Sequence, residues 1–280
     1  MNNQYRLGLI SLAHVVLCIF SGALGWQIQA ITVITSGAAA IFYVHKITSR
    51  KKWEPLLVIA PFYLLFIPVS LTVGTISTYP IWLCGLISCA VSHTLLYHGY
   101  HLKAFAIFLF LFALFNWYLV MPNMFAYAGI EKIKPEWNSL NNLQITDVQG
   151  QRVNLNDLRG KIVVLDIWST SCLSCIRKFP EFEKLKEYYW NDSSVVLATL
   201  NMPFKKETPS FIYRFTSNYS FTKLSFESYE EAKKAGVSAL PLLLIMDKNL
   251  NCRYAGGLHF KWNEILVNNK RLINSLKKEL

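Results

Sequence analysis

The hydrophobic pattern divides the chain in two. Up to residue 121 long apolar runs are broken only briefly by polar residues. Beyond about residue 139 the apolar positions come in short runs or at helical spacing. Five apolar segments fill the first part, at residues 7–26, 28–44, 56–76, 81–97 and 105–121. A bilayer-spanning helix needs about 20 apolar residues, with about 17 as a lower limit. The second, fourth and fifth segments lie near that limit. The first resembles a signal peptide in position, but it has no clear small-residue cleavage site and further apolar segments follow it. The pattern predicts an N-terminal α-helical membrane bundle of five helices over residues 1–122.

Residues 123–138 read as a linker, with Pro122 and Pro135 as breakers. Two strand-like runs, 142–148 and 152–155, flank the turn Gln149-Gly150. The apolar run from Lys161 to Ile167 reads as a buried strand, and 194–201 as the next one. Helices are predicted over 207–217 and 228–235. Strands at 242–246 and 252–254 should pair across Asp247-Lys248-Asn249. Residues 262–280 have the pattern of an amphipathic helix. Strands alternating with helices predict a C-terminal α/β domain over residues 139–280.

Composition sharpens the division. Hydrophobic residues make up 53% of the 280 and charged residues 16%, which is apolar for a soluble protein. Residues 1–122 hold only six Lys or Arg and one acid, Glu54, whereas the other sixteen acids lie beyond. Arg6 precedes the first segment, Lys46, Arg50, Lys51 and Lys52 lie between the second and third, and Lys103 between the fourth and fifth. The loops at Gln27 and at 78–80 carry no Lys or Arg. Every basic loop therefore falls on one side, the cytoplasmic one. Five crossings then put the C-terminal domain outside, where disulfides persist. Trp82, Trp117 and Tyr118 sit near segment ends, as interfacial aromatics do. The net charge of +11 does not point to nucleic acid. It sits in short membrane loops and, further on, is interspersed with acids as on an ordinary solvated face.

The candidate chemistry lies at Cys172-Leu173-Ser174-Cys175, where a strand ends and a helix begins. A C-x-x-C pair in that context reads as a redox-active dithiol. The free N–H groups and dipole of a helix N-terminus stabilise a thiolate, the nucleophile of disulfide exchange. Cys172, nearer the loop, is the expected attacking residue, and Cys175 the resolving one. A zinc site would need further ligands, and no second C-x-x-C or H-x-x-H pair exists in this domain. Asp166, inside an apolar strand, is expected to be buried with a raised pKa. Cys252, alone in a strand, reads as a small core residue, and His259 receives no role.

This stretch resembles the thioredoxin family, most closely the membrane-anchored TlpA-type thiol–disulfide reductases of bacteria. Trp168 lies four residues before the first cysteine, Asp166 six before it, and Pro180 five after Cys175, as in the family. Gly236 to Asn249 resembles the segment with the family's cis-proline, here Pro241, and Gly256-Gly257 precedes the final helix. Ser171 replaces a tryptophan, Leu173-Ser174 replaces Gly-Pro, and Leu242 stands where a threonine often follows the proline. The resemblance covers about residues 139–280. It implies a thioredoxin-like fold, a central mixed sheet flanked by helices. It also implies that Cys172 and Cys175 form a redox-active disulfide with no other cofactor and no metal. Asp166 would assist proton transfer, and Trp168, Leu240 and Pro241 would face the substrate. The implied partners are extracytoplasmic cysteine-containing proteins and an electron donor. The implied location is the bacterial inner (cytoplasmic) membrane, multi-pass, with the catalytic domain periplasmic or otherwise extracytoplasmic.

Two other readings stay open. One is a disulfide-generating or transmembrane electron-conducting fusion, similar to vitamin-K-epoxide-reductase homologues or DsbD. Cys84 and Cys89 are five positions apart, without the loop pair of the former. The other is a thioredoxin-fold binding module without turnover. Within the membrane half, His14 with Cys18 and Cys89 with His93 each share a helix face at i, i+4 spacing. These four could meet near mid-membrane, or simply pack as small apolar residues and bonded imidazoles.

Overall fold

The computed structural model describes residues 3–24, 26–47, 54–72, 79–99, 102–204 and 207–279. Arg50, Lys51 and Lys52 of the basic loop, and Thr78 of the uncharged one, lie outside the described residues. The chain forms two compact units, Met1–Ala128 and Gly129–Leu280.

The first unit is helical. It comprises α1 (Asn3–Ala23), α2 (Trp26–Ile47), α3 (Glu54–Thr72), α4 (Tyr79–Tyr97), α5 (Leu102–Phe115) and α6 (Met121–Ala128). Among the described residues, three stretches are long and apolar enough to cross a membrane: Gln4–Gly22, Ile28–Ile47 and Lys103–Tyr127. The shorter apolar stretches Glu54–Pro68 and Ile81–Tyr97 lie in α3 and α4. Trp26, expected to end the first helix, instead begins α2. Pro122, expected as a breaker, lies inside a helix that continues to Ala128. Proline has no N–H to bond the preceding turn. The backbone meets it with a π turn over Asn116–Val120, the usual way a helix absorbs such a defect.

Close helix approach in this unit depends on two glycines. A Cβ at Gly37 of α2 would lie 2.6 Å from the Cys89 sulfur of α4. One at Gly85 would lie 2.4 Å from Val33 Cγ1. Small residues at such crossings let helix backbones pack where no hydrophobic driving force separates them from lipid. The His14 ring also borders Gly37, at 3.5 Å from that Cβ position. His14 Nδ1 lies 2.9 Å from Ser36 Oγ and 3.6 Å from Cys18 Sγ. His93 does not join this group: its Nδ1 lies 3.0 Å from His45 Nε2. Thus three of the four residues paired by spacing gather around Gly37, and the fourth belongs to a histidine pair.

The second unit is built on a six-stranded sheet, in the order β1-β4-β3-β2-β5-β6. The strands are β1 (Ile145–Asp147), β2 (Ile162–Trp168), β3 (Val195–Asn201), β4 (Thr222–Phe226), β5 (Leu242–Met246) and β6 (Cys252–Gly256). β2, β3 and β4 are parallel, while β1, β5 and β6 run antiparallel to their neighbours. The helices are α7 (Leu173–Ile176), α8 (Phe179–Tyr188), α9 (Pro209–Phe215), α10 (Tyr229–Lys234) and α11 (Asn269–Lys278). This is the thioredoxin-like arrangement of a mixed sheet flanked by helices.

Strand periodicity sorts β2 into two faces. Val163, Leu165 and Ile167 enter a core with Trp137, Leu140 and Phe226. Asp166 and Trp168 point to the other face, where Trp168 meets Phe179 of α8 edge-to-face, with ring centroids 4.9 Å apart. Three expectations change. The second strand of the early hairpin reduces to one bridge, Thr146 with Arg152, and a 3-10 turn, Leu155–Leu158, takes its place. β4 was not anticipated, because Thr222-Lys223-Leu224-Ser225 has too few apolar residues to announce a strand. Its pairing with β1 and β3 makes it one. The C-terminal helix starts at Asn269, not at 262, because Asn268 caps it by accepting the Arg271 amide at 3.1 Å.

Replacing Gly37 with Val should drive a branched side chain into Cys89 and cost roughly 1–3 kcal/mol, the usual penalty of overpacking. Gly8, with nothing within 4 Å of its Cβ position, should tolerate the same change far better. Thermal unfolding of both variants in detergent checks this.

Candidate active site

β2 ends at Trp168 and hands the chain to Ser169-Thr170-Ser171. Cys172 then serves as the N-cap of α7: its Sγ accepts the Cys175 amide at 3.2 Å. The helix starts there because the cysteine sulfur and backbone take up the first free amides. Cys172 and Cys175 form a disulfide, with Cα atoms 5.3 Å apart. Cys172 is half-buried, whereas Cys175 is wholly buried. Ser174 Oγ lies 3.3 Å from the Cys172 sulfur, and Ser169 and Ser171 hydroxyls lie 3.1 Å apart.

Asp166 lies on β2, two residues before the strand ends at Trp168. It is 2% exposed, and its Oδ2 has no hydrogen-bond partner. Burial pushes the carboxyl up to about 7, against the opposing pull of the Lys178 ammonium. Lys178 caps α8, three residues after Cys175. Its effect on Asp166 had no sequence signal, because the two are brought together by the strand–turn–helix crossing. Trp168 is buried between Phe179 and Phe215, the latter stacked at 5.8 Å. It therefore supports the site from below and offers no open face.

The Leu240–Pro241 peptide is cis. Ile167 pairs with Leu242, so Pro241 lies beside the end of β2 from which Cys172 is presented. Next to it is a cleft of about 230 Å³ lined by Ser169, Ser171, Met202, Phe204, Tyr229 and Leu240. The segment ahead of the proline is held by Lys134, whose ammonium donates to the Gly236 carbonyl at 2.6 Å and to Ser238 Oγ at 3.0 Å. Thr170 donates to a carboxylate oxygen of Glu207, whose other oxygen is buried without a partner. Neither Lys134 nor Glu207 was singled out from sequence: each is distant along the chain from the cysteines and belongs to no motif.

Cys252 is buried, donates to the Tyr254 carbonyl at 3.3 Å, and is pushed up to about 11 by burial. It stays a neutral thiol. His259, left without a role, lies 3.1 Å from Glu264 Oε1. Among the described residues no group of three or more His, Cys, Asp or Glu is placed to hold a metal ion.

Comparison with known proteins follows the same half of the chain. Residues 138–255 match the AhpC/TSA family. The thiol-disulfide oxidoreductase ResA of Bacillus cereus (strain ATCC 10987 / NRS 248) is 29% identical over 110 residues, covering 39% of this chain and 61% of that protein. The ResA of Bacillus subtilis (strain 168) is 29% identical over 93 residues, covering 33% of this chain and 49% of that protein. A putative thiol-disulfide oxidoreductase from Bacteroides vulgatus, of known structure, is 24% identical with a TM-score of 0.40, covering 48% of this chain and 90% of that one. The chain thus spans less than two thirds of the length of these curated relatives. In fold the C-terminal half has the thioredoxin-like arrangement, and in sequence it is similar to the AhpC/TSA family and to the thiol-disulfide oxidoreductase ResA.

Proposed function

We propose that this protein is a membrane-anchored thiol–disulfide oxidoreductase that reduces disulfides of extracytoplasmic proteins. The observation that carries the reading is the Cys172–Cys175 disulfide at a strand–helix junction, with Cys172 half-buried and Cys175 wholly buried. In the reduced protein, the Cys172 thiolate attacks a substrate disulfide. One substrate sulfur leaves as a thiolate, and a mixed disulfide forms. Cys175, deprotonated, then attacks the Cys172 sulfur and releases the second substrate thiolate. Two electrons pass to the substrate, and Cys172–Cys175 is left oxidised until an external dithiol restores it.

Asp166 suits the proton step. A carboxyl held near neutrality takes or gives a proton at working pH, as an ionised surface aspartate cannot. Leu240, which precedes the cis Pro241, lines the cleft together with Ser171, the residue before Cys172, and an extended cysteine-bearing segment would dock there. Trp168 acts by shaping the floor of the site. The five apolar helices of the first unit anchor the domain, with the basic loops cytoplasmic and residues 139–280 outside.

Cys172→Ala should abolish reduction of insulin by the full-length protein. Cys175→Ala should instead accumulate a covalent adduct with substrate, visible on a non-reducing gel and released by dithiothreitol. Trapping by Cys172→Ala but not by Cys175→Ala would reverse the assignment.

The raised pKa of Asp166 also sets a pH dependence. The unfolded carboxyl titrates near about 3.9. The folded pKa is higher, so folding favours the neutral form. That contribution is complete below the unfolded pKa and is lost as pH rises toward 7. Asp166→Asn should therefore stabilise the oxidised protein more at pH 8 than at pH 5, by on the order of a few kcal/mol. The difference in Tm between variant and native protein at the two pH values measures it, and an equal difference at both would show that Asp166 is not held neutral.

A further inference from the structure

The edge of the sheet is fastened close to where the chain leaves its last apolar helix. Lys103–Tyr127 is long and apolar enough to cross a membrane. Four residues on, the Glu131 amide donates to the Ala255 carbonyl of edge strand β6 at 2.8 Å. At Gly256, with φ of 156°, a Cβ would lie 2.6 Å from the Gly129 carbonyl oxygen, so only glycine admits this approach. Both contacts lie within the second unit, on the first residues of chain after the apolar stretch.

From this fastened point the chain runs into the loop of residues 257–268. Its tip exposes Trp262 at 82%, Ile265 at 53% and Leu266 at 62%. The loop is braced from within. The buried Glu264 carboxylate accepts the Lys261 amide at 2.6 Å and lies 3.1 Å from His259 Nδ1. Asn268 Nδ2 donates to the Lys261 and Glu264 carbonyls at 3.2 and 3.3 Å. Leu258 and Val267 are buried under it. So the loop has its own anchors and presents Trp262, Ile265 and Leu266 outward. On the tether itself, Ile130 and Ile133 are exposed as well, with Lys132 between them.

We propose that this loop seats the domain on the lipid surface, with Trp262, Ile265 and Leu266 in the headgroup region of the bilayer. Tryptophan beside aliphatic residues and lysine is the composition that favours the membrane–water interface. Three such side chains alone would bind a bilayer weakly. Here the domain is already tethered, so the association is intramolecular and little apolar area suffices to hold it. Lys132 supplies a cation for anionic headgroups. The seating also orients the site. Gly256 pairs with Leu243, and Leu243 with Asp166, so the loop emerges at the end of the sheet where β2 presents Cys172. The Lys261 ammonium reaches Glu181 at the start of α8, 2.9 Å away. The disulfide end of the domain is thereby held toward the membrane, within reach of cysteines near the bilayer. The lipid contact does not depend on the redox reading.

The test uses the full-length protein in vesicles of phosphatidylethanolamine and phosphatidylglycerol. A photoreactive benzoylphenylalanine replaces Trp262, Leu266 or, as control, Trp190. Trp190 is 67% exposed but lies at the opposite end of the sheet, just before β3. Mass spectrometry after irradiation should find phospholipid adducts at 262 and 266 in several-fold excess over 190. Equal adducts at all three positions, none at 262 and 266, or a cross-linked second copy of the chain in place of lipid would overturn the proposal. A label-free measurement guards against disturbed folding. The emission lost on Trp262→Phe substitution, taken as native minus variant, should be quenched by lipids brominated near the headgroup. An unquenched difference overturns the proposal as well.

Discussion

Strand β2 is hydrogen-bonded along both edges and buried on both faces, and the rest of the C-terminal domain depends on that double burial. All seven of its residues are buried, between β3 on one side and β5 on the other. A strand in this position cannot slip by one residue without exchanging its two faces. Here the exchange would drive Asp166 into the core of Leu165 and Ile167 and expose those residues to the helix face. The register is therefore fixed, and with it the height at which Trp168 ends the strand and Cys172 begins a helix. Placement of the disulfide follows from sheet packing, not from the local loop, whose serines and threonine are small and polar.

The same burial gives Asp166 its chemistry. A carboxylate at the surface would be ionised and inert as a proton donor. Enclosed on the face that carries Trp168, its carboxyl is pushed up to about 7 by desolvation, with the Lys178 charge limiting the shift. Trp168, Phe179 and Phe215 pack as an aromatic floor on that face. That floor is also a stabilising cluster, each aromatic pair contributing about 0.5–1.5 kcal/mol beyond its burial. The stabilising aromatic contacts and the buried Asp166 carboxyl thus share one face of β2, where burial disfavours the carboxylate.

Different physics holds the membrane half. There the backbone bonds are satisfied within each helix, and polar side chains bond back to their own turn, as Thr32, Thr35 and Ser36 do to carbonyls three or four residues earlier. Packing then relies on shape. Gly37 and Gly85 admit the sulfur of Cys89 and the side chain of Val33, and the gathering of His14, Cys18 and Ser36 beside Gly37 is a consequence of that close approach.

The sequence by itself determined the division into an apolar helical half and an α/β half, since hydrophobic run length and period are local properties. It also determined the strand–Cys172-x-x-Cys175–helix order and the burial of Asp166, each readable from the residues on either side. The limits of the C-terminal helix were not local: the pattern of Trp262, Ile265 and Leu266 is helical, yet Glu264 and Asn268 bond into a loop and turn those side chains outward. Strand β4 exists only because β1 and β3 supply partners for a segment with little strand character. The helix through Pro122 persists because the π turn ahead of it absorbs the missing donor. The tertiary structure alone decided that Glu207 meets Thr170 and that Lys134 holds the segment ahead of Pro241. Their positions depend on chain crossings far apart in sequence, and no periodicity or motif records which residues a crossing brings together.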